Sequence, residues 1–134
     1  MPDQALLNDS MGPIPFRILS VKQELHDCFT LTLVCDQIPF HFAPGQFNML
    51  YVFGHGEVPI AMSGDPNQPE LLVHTIRKVG AVTAALQQLR EGEFVGVRGP
   101  FGNPWPLSEA KGKDIVILAG GLGLAPLRPV IYHI

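Results

Sequence analysis

Residues 114–128 read DIVILAGGLGLAPLR, and the interpretation of the whole chain turns on this run. Ile115, Val116, Ile117 and Leu118 form a short β-branched apolar stretch, the composition of a parallel strand covered on both faces. Gly120, Gly121 and Gly123 allow positive φ and close approach to the backbone, and Pro126 fits the first turn of a helix, where its missing N–H is not needed. Strand, glycine turn and helix start together make a cradle for a pyrophosphate. Against the pattern G-x-G-x-x-G the first two glycines fit as Gly121 and Gly123, but Pro126 stands in the third place. Taken alone, the run reads equally as a tightened strand-to-helix turn, so the preceding sequence has to decide.

That sequence belongs to a globular chain of about one domain: 134 residues, 46% hydrophobic and 16% charged, with a formal net charge of −3. Lys and Arg are scattered rather than gathered in a stripe, which argues against nucleic acid as a partner. No apolar run reaches the roughly 18 residues that a membrane span needs. The opening MPDQALLNDSMGP lacks the basic flank and apolar core of a secretory signal, and a cytoplasmic location is expected. Cys28 and Cys35 lie seven apart in one expected strand, on opposite faces, and are read as free buried thiols. No C-x-x-C unit or metal-ligand spacing occurs, so no metal or iron–sulfur site is expected in this chain. His26, His41, His55, His74 and His133 are dispersed and read as surface or interface side chains.

Taken in order, residues 16–24 (FRILSVKQE) and 29–35 (FTLTLVC) alternate apolar and polar as strands do, with His26–Asp27 as the turn between them. Residues 36–45 (DQIPFHFAPG) form a loop that launches a third strand at 46–53 (QFNMLYVF). Gly54, Gly56 and Pro59 break the pattern before an irregular fourth strand at 58–63. Residues 71–79 (LLVHTIRKV) make a fifth strand. The period then changes: Val82, Ala85, Leu86 and Leu89 recur at helical spacing over 81–89. A sixth strand at 93–98 leads into GPFGNPWP, residues 99–106, read as a rigid connector. Six short strands with one helix imply a small closed antiparallel barrel. The expected division is a flexible leader at 1–13, a barrel domain at 14–106 and the start of a second domain at 107–134. A Rossmann-type domain needs several βα units, and one strand with a helix start does not complete it.

In joint order and spacing, residues 43–56 (APGQFNMLYVFGHG), 57–66 (EVPIAMSGDP), 74–86 (HTIRKVGAVTAAL), 97–102 (VRGPFG) and 114–129 resemble the ferredoxin–NADP reductase superfamily. Within it they resemble the gamma subunits of cytoplasmic nickel–iron hydrogenases, with the electron-transfer subunit of dihydroorotate dehydrogenase as close competitor. The resemblance implies a mainly β fold: a six-stranded antiparallel Greek-key barrel binding FAD, one short helix, then the first strand and helix start of a Rossmann-like NAD(P) domain.

The family's fourth-strand motif R-x-[YF]-[ST] aligns with Val58, Pro59, Ile60 and Ala61, which supply neither the arginine, the aromatic ring nor the hydroxyl. Ser63, two residues on, either replaces that hydroxyl or is a turn residue. Gly80, Ala81, Val82 and Thr83 match the helix start that binds the flavin pyrophosphate, with Thr83 either adding a hydroxyl contact or serving as an ordinary first-turn residue. His74, Thr75 and Ile76 on the preceding strand are candidates for backbone contact with the cofactor. Arg77 is either the replacement cation or a solvated strand residue. Gly120, Gly121, Gly123 and Pro126 would meet the pyrophosphate of a nicotinamide nucleotide.

The implied activity is transfer of electrons between NAD(P)H and the iron–sulfur centres of a hydrogenase complex through FAD, with no side chain needed as nucleophile or base. The two-iron cluster of full-length relatives has no cysteines here. Expected partners are hydrogenase or other iron–sulfur subunits, and a chain that completes the nucleotide domain. The alternatives are a non-catalytic barrel that binds flavin or partner subunits, and a free-standing flavin reductase, against which the short nucleotide domain argues.

Overall fold

A computed structural model describes residues 12–36 and 38–134, so the expected leader falls almost wholly outside the described residues, as does residue 37 of the 36–45 loop. The strands are β1 (Ile14–Leu25), β2 (Cys28–Val34), β3 (Phe47–Val52), β4 (Gly56–Ala61), β5 (Leu72–Arg77) and β6 (Phe94–Phe101), with helix α1 (Ala81–Gln88) between the last two. A short 3₁₀ turn, Leu107–Ala110, and a longer one, Gly121–Leu127, lead to helix α2 (Arg128–His133). The sheet runs β4-β3-β6-β1-β2-β5 and every pairing is antiparallel. β6 thus enters between two hairpins, which is the Greek-key step.

The two ends of this sheet meet. Met62, just past β4, bridges to His74 of β5, and the Ser63 N–H donates to the Val73 carbonyl at 2.9 Å. These bonds close the sheet into a barrel and leave little exposed edge. Phe29, Leu31, Leu33, Leu50, Leu72 and Ile76 fill the interior at 1% exposure or less. Each such side chain stabilises the fold by about 1.5–3 kcal/mol relative to an exposed one. Leu86 of α1 joins this core, with Val82, Ala85 and Leu89 packed against it, so the helical spacing in the sequence seats the helix as expected.

A polar clamp explains two of the sequence segments. The Gln46 side chain accepts from the Ala43 N–H at 2.9 Å and donates to the Gly102 carbonyl at 3.0 Å. The Trp105 N–H donates to the Pro44 carbonyl at 2.8 Å. A side chain on Gly45, whose φ is +105°, would meet the Trp105 ring and backbone at 2.9 Å. The APGQ loop and the GPFGNPW stretch are therefore two halves of one joint.

Three expectations need correction. The sixth strand does not end at Arg98: β6 continues through Gly99 and Pro100 to Phe101, where Phe47 pairs with it. Residues 115–118 form no strand, because a parallel strand takes its hydrogen bonds from neighbouring strands and none lies beside it among the described residues. Val116 and Leu118 are consequently 80% and 85% exposed. Finally, Pro126 sits inside the 3₁₀ turn, while Pro129 occupies the first turn of α2. Of the cysteines, Cys28 is buried and Cys35, past the end of β2, is half-buried; both are free.

Gly99 shows how tightly the β3–β6 contact is drawn. Its φ is +151°, and a Cβ there would lie 2.2 Å from Asn48 Oδ1. Gly99→Ala should therefore destabilise the barrel by about 1–3 kcal/mol through backbone strain, with the collision added to it. Gly92→Ala, with φ +88° and open space around it, should lose only the backbone-strain part, about 1–3 kcal/mol, with no collision added. Urea unfolding of the two variants side by side checks this; equal losses would mean that the Asn48 contact has no energetic weight.

Candidate functional site

Outside the barrel, β4, β5, the start of α1 and the 121–127 turn surround a cavity of about 440 Å³. That volume is in the range of small-molecule sites. Its walls are Val58, Pro59, Ile60 and Ala61 of β4, Thr75, Arg77 and Val79 on and beyond β5, Thr83 of α1, and Leu122, Gly123, Ala125 and Pro126. Residues far apart in sequence, singled out for one cofactor, thus line one hollow.

Strand alternation sorts the β5 candidates. Leu72, His74 and Ile76 are buried, while Thr75 and Arg77 alternate with them and line the cavity. Thr75 is therefore the β5 hydroxyl that reaches the site. Ile76 belongs to the barrel core.

His74 is fully buried, which corrects its reading as a surface side chain. Its Nδ1 lies 3.0 Å from the Ala61 carbonyl and its Nε2 3.3 Å from Asn48 Nδ2. A carbonyl only accepts, so Nδ1–H donates to Ala61, and Nε2 accepts from the Asn48 amide. This fixes the neutral tautomer. Burial lowers the imidazole from its usual 6.5 to about 4, and the hydrogen bond to Ala61 opposes part of that shift. Asn48, 0% exposed, leaves Oδ1 without a partner. The sequence reading missed Asn48, although it falls on the inward phase of β3 with Leu50 and Val52.

Ser63 does not line the cavity. It is 1% exposed, and its hydroxyl lies 3.0 Å from that of Thr75, so it stands one step behind the wall. Thr83 is also committed. Its Oγ1 accepts from the N–H groups of Val79 at 2.9 Å and Gly80 at 3.0 Å, and donates to the Gly80 carbonyl at 3.1 Å. The hydroxyl therefore shapes the turn into α1. Donors remain in the backbone: the first helical bond runs from the Ala84 N–H to Gly80, and the N–H groups of Ala81 and Val82 have no partner within the helix, although Gly80, Ala81 and Val82 do not themselves line the cavity. The Val82 side chain itself packs against the core.

Arg77 provides the cation on this wall; its Nε lies 3.3 Å from Asp27 Oδ2, and its side chain is 60% exposed. Gly123 and Pro126 line the same cavity, Gly121 lines an adjoining recess of about 260 Å³, and Gly120 lines neither. The glycine segment thus lies against the barrel. No group of three or more His, Cys, Asp or Glu side chains suited to a metal occurs among the described residues.

The residues present fit a flavin nucleotide. β4 gives a flat apolar wall, α1 presents free N–H donors at its positive end, Arg77 adds a cation, and Thr75 supplies a hydroxyl. The apolar wall stands where the resembled family has a charged and aromatic fourth-strand motif.

No protein-family model matches the chain. It is 36% identical over 121 residues to the sulfhydrogenase 2 gamma subunit of Pyrococcus furiosus, spanning 87% of this chain and 42% of that one. It is 39% identical over 120 residues to a probable dihydroorotate dehydrogenase B electron-transfer subunit of Methanocella arvoryzae, spanning 90% of this chain and 43% of the relative. Among solved structures, the ferredoxin NADP+ reductase of Neisseria gonorrhoeae with bound FAD and NADP superposes with a TM-score of 0.74 at 22% identity, covering 88% of this chain and 50% of that one. The fold is that of the FAD-binding barrel of ferredoxin–NADP reductase-like proteins. In sequence the chain resembles, more narrowly, the gamma subunits of hydrogenases. It spans about two fifths of the length of these curated relatives.

The buried His74 generates a pH dependence. Between about pH 6.5 and 4 the unfolded chain binds a proton at this imidazole and the folded chain does not, so stability rises with pH through that window and is lost as pH falls through it. The expected loss is on the order of 3 kcal/mol. Chemical denaturation at a series of pH values should show that slope in the wild type and a flatter one in His74→Gln. Parallel slopes would mean that His74 titrates alike in both states.

Proposed function

We propose that the chain is the flavin-binding part of an oxidoreductase subunit that passes electrons between NAD(P)H and the iron–sulfur centres of a hydrogenase complex. The observation that carries this reading is the single cavity in which the β4 wall, Thr75, Arg77 and the start of α1 meet the glycine segment. The sulfhydrogenase and dihydroorotate dehydrogenase relatives support it, among them sulfhydrogenase 1 gamma, 45% identical over 92 residues.

FAD, when bound, supplies the conversion between two-electron hydride transfer and one-electron steps. The protein's share is placement. Val58, Pro59, Ile60 and Ala61 exclude water from one face of the cavity, and the Ala81 and Val82 N–H groups with Arg77 hold phosphate oxygens. Thr75 offers a hydroxyl to the polar edge of the ligand. Leu122, Gly123 and Pro126 flank the mouth, where a nicotinamide nucleotide would approach. In this reading residues 14–106 are the flavin domain and 107–134 open the nucleotide-binding domain. The partners are hydrogenase or other iron–sulfur subunits, the two-iron cluster belongs to other parts of such relatives, and the location is cytoplasmic. Among the described residues no helix is long and apolar enough to cross a membrane.

The visible spectrum of the purified chain, with the released cofactor identified after denaturation, is the direct test. FAD bound at about one per chain supports the proposal, and Arg77→Ala should weaken its binding about tenfold, the effect of losing one hydrogen bond to a charged group. A chain that is colourless and takes up no added FAD overturns it and leaves a barrel that binds partner subunits as the better account.

A further inference from the structure

Three hydroxyls and a carboxylate form an unbroken series beside the cavity. Thr30 Oγ1 donates to Glu24 Oε1 at 3.0 Å, Thr30 and Thr75 Oγ1 atoms are 3.1 Å apart, and Thr75 Oγ1 is 3.0 Å from Ser63 Oγ. Each hydroxyl has one proton to donate. Since that of Thr30 goes to Glu24, the Thr30–Thr75 bond is made with the Thr75 proton, and Ser63 then donates to Thr75 at 3.0 Å or to the Val73 carbonyl at 3.5 Å. The Thr75 and Thr30 protons then point the same way, from the cavity wall towards Glu24. The series crosses β5, β2 and β1, and Thr30 is only 9% exposed.

Thr75 faces both hollows. Thr75 lines the cavity, and Thr75, Thr30 and Glu24 line the adjoining recess, where the Glu24 side chain is 35% exposed. Lys22 of β1, 3.7 Å from Glu24, and Arg128 of α2 are the charged groups facing Glu24 there; the Cys28 thiol on β2 is the other titratable group within its field.

We propose that Thr75, Thr30 and Glu24 are a proton exit from the cavity. A donor in the cavity hands a proton to Thr75 Oγ1, the Thr75 proton passes to Thr30, and the Thr30 proton passes to the Glu24 carboxylate, which releases it to the recess. One proton enters and one leaves, and no electron moves along this path. The inference rests on the flavin reading for its proton source: reoxidation of an anionic reduced flavin releases two electrons and one N–H proton. The electrons go to a one-electron acceptor such as an iron–sulfur centre, and the proton takes this route.

Two measurements test it. In the flavin-free chain, carbon NMR should show the Thr75 Cβ shift following the titration of the Glu24 carboxyl carbon, and Thr30→Val should uncouple the two while leaving the barrel folded. In the FAD-loaded chain, reduced by light and reoxidised with ferricyanide, Thr30→Val should slow reoxidation at least about tenfold, as loss of a positioned proton-transfer group does. It should also abolish the slowing seen in heavy water, and Thr30→Ser, which keeps the hydroxyl, should restore both. A Thr75 signal indifferent to Glu24 in the wild type, or unchanged reoxidation in Thr30→Val, overturns the proposal. If the wild type takes up no FAD, the flavin reading fails, and the NMR coupling alone decides whether the conduit exists.

Discussion

The seam between β4 and β5 is the constraint on which the rest of this structure depends. These strands are the two ends of the sheet, and the Met62–His74 bridge, the Ser63–Val73 bond, the Ser63–Thr75 hydroxyl contact and the His74–Ala61 bond join them. Closure buries the core on the inside, with Ile60 packed against it, and brings Pro59, Ile60 and Ala61 of β4 into one cavity wall with Thr75 and Arg77. A buried neutral imidazole suits this post. It reaches the Ala61 carbonyl across the seam with one nitrogen and takes the Asn48 amide with the other, so β3, β4 and β5 are held by one side chain. A charged side chain in the same place would face the desolvation that already holds the His74 imidazole in its neutral form.

The barrel was legible because its signals are local. Strand alternation, the His26–Asp27 turn and the helical spacing of Val82, Ala85, Leu86 and Leu89 each depend on neighbours within a few residues, and each element stands within a few residues of where those patterns put it. The orientation of the site residues was legible too, had the alternation been carried through. LVHTIR has Leu72 and Ile76 on one face, which sends His74 inward with them and Thr75 outward. Asn48 follows the same rule on β3. A polar residue on the inward phase of an apolar strand marks a buried hydrogen-bonded group, and here the two such residues find each other.

What local pattern could not reveal was set by partners distant in the chain. The β-branched residues 115–118 have strand composition, but composition only fits a residue to a sheet that neighbouring strands must supply. Beside the barrel they line an apolar groove of about 280 Å³ with Trp105, Leu107 and Val130 instead. The extent of β6 was hidden for a related reason. Gly99 and Pro100 are turn formers by composition, yet Asn48 requires a residue without a side chain at position 99, and the Phe47–Phe101 pairing carries the strand past both. Likewise Thr83 matched a phosphate-binding pattern, while its hydroxyl is engaged with Val79 and Gly80.

These displacements share a direction. Under the flavin reading, the groups left to take the place of a missing or occupied side chain are backbone N–H groups and the outward side chains of β5. Under the proposed flavin reading, the α1 N–H groups would take the part expected of the Thr83 hydroxyl, Arg77 that of the arginine absent at Val58, and Thr75 that of the hydroxyl absent at Ala61. β5 can carry this load because it lies at the seam: its inward residues lock the barrel, and by alternation its outward ones must face the hollow that the seam creates. On the proposed reading, therefore, the polar groups of the site lie on β5 rather than β4, and the seam that His74 helps to hold is what sets the two strands side by side at the cavity.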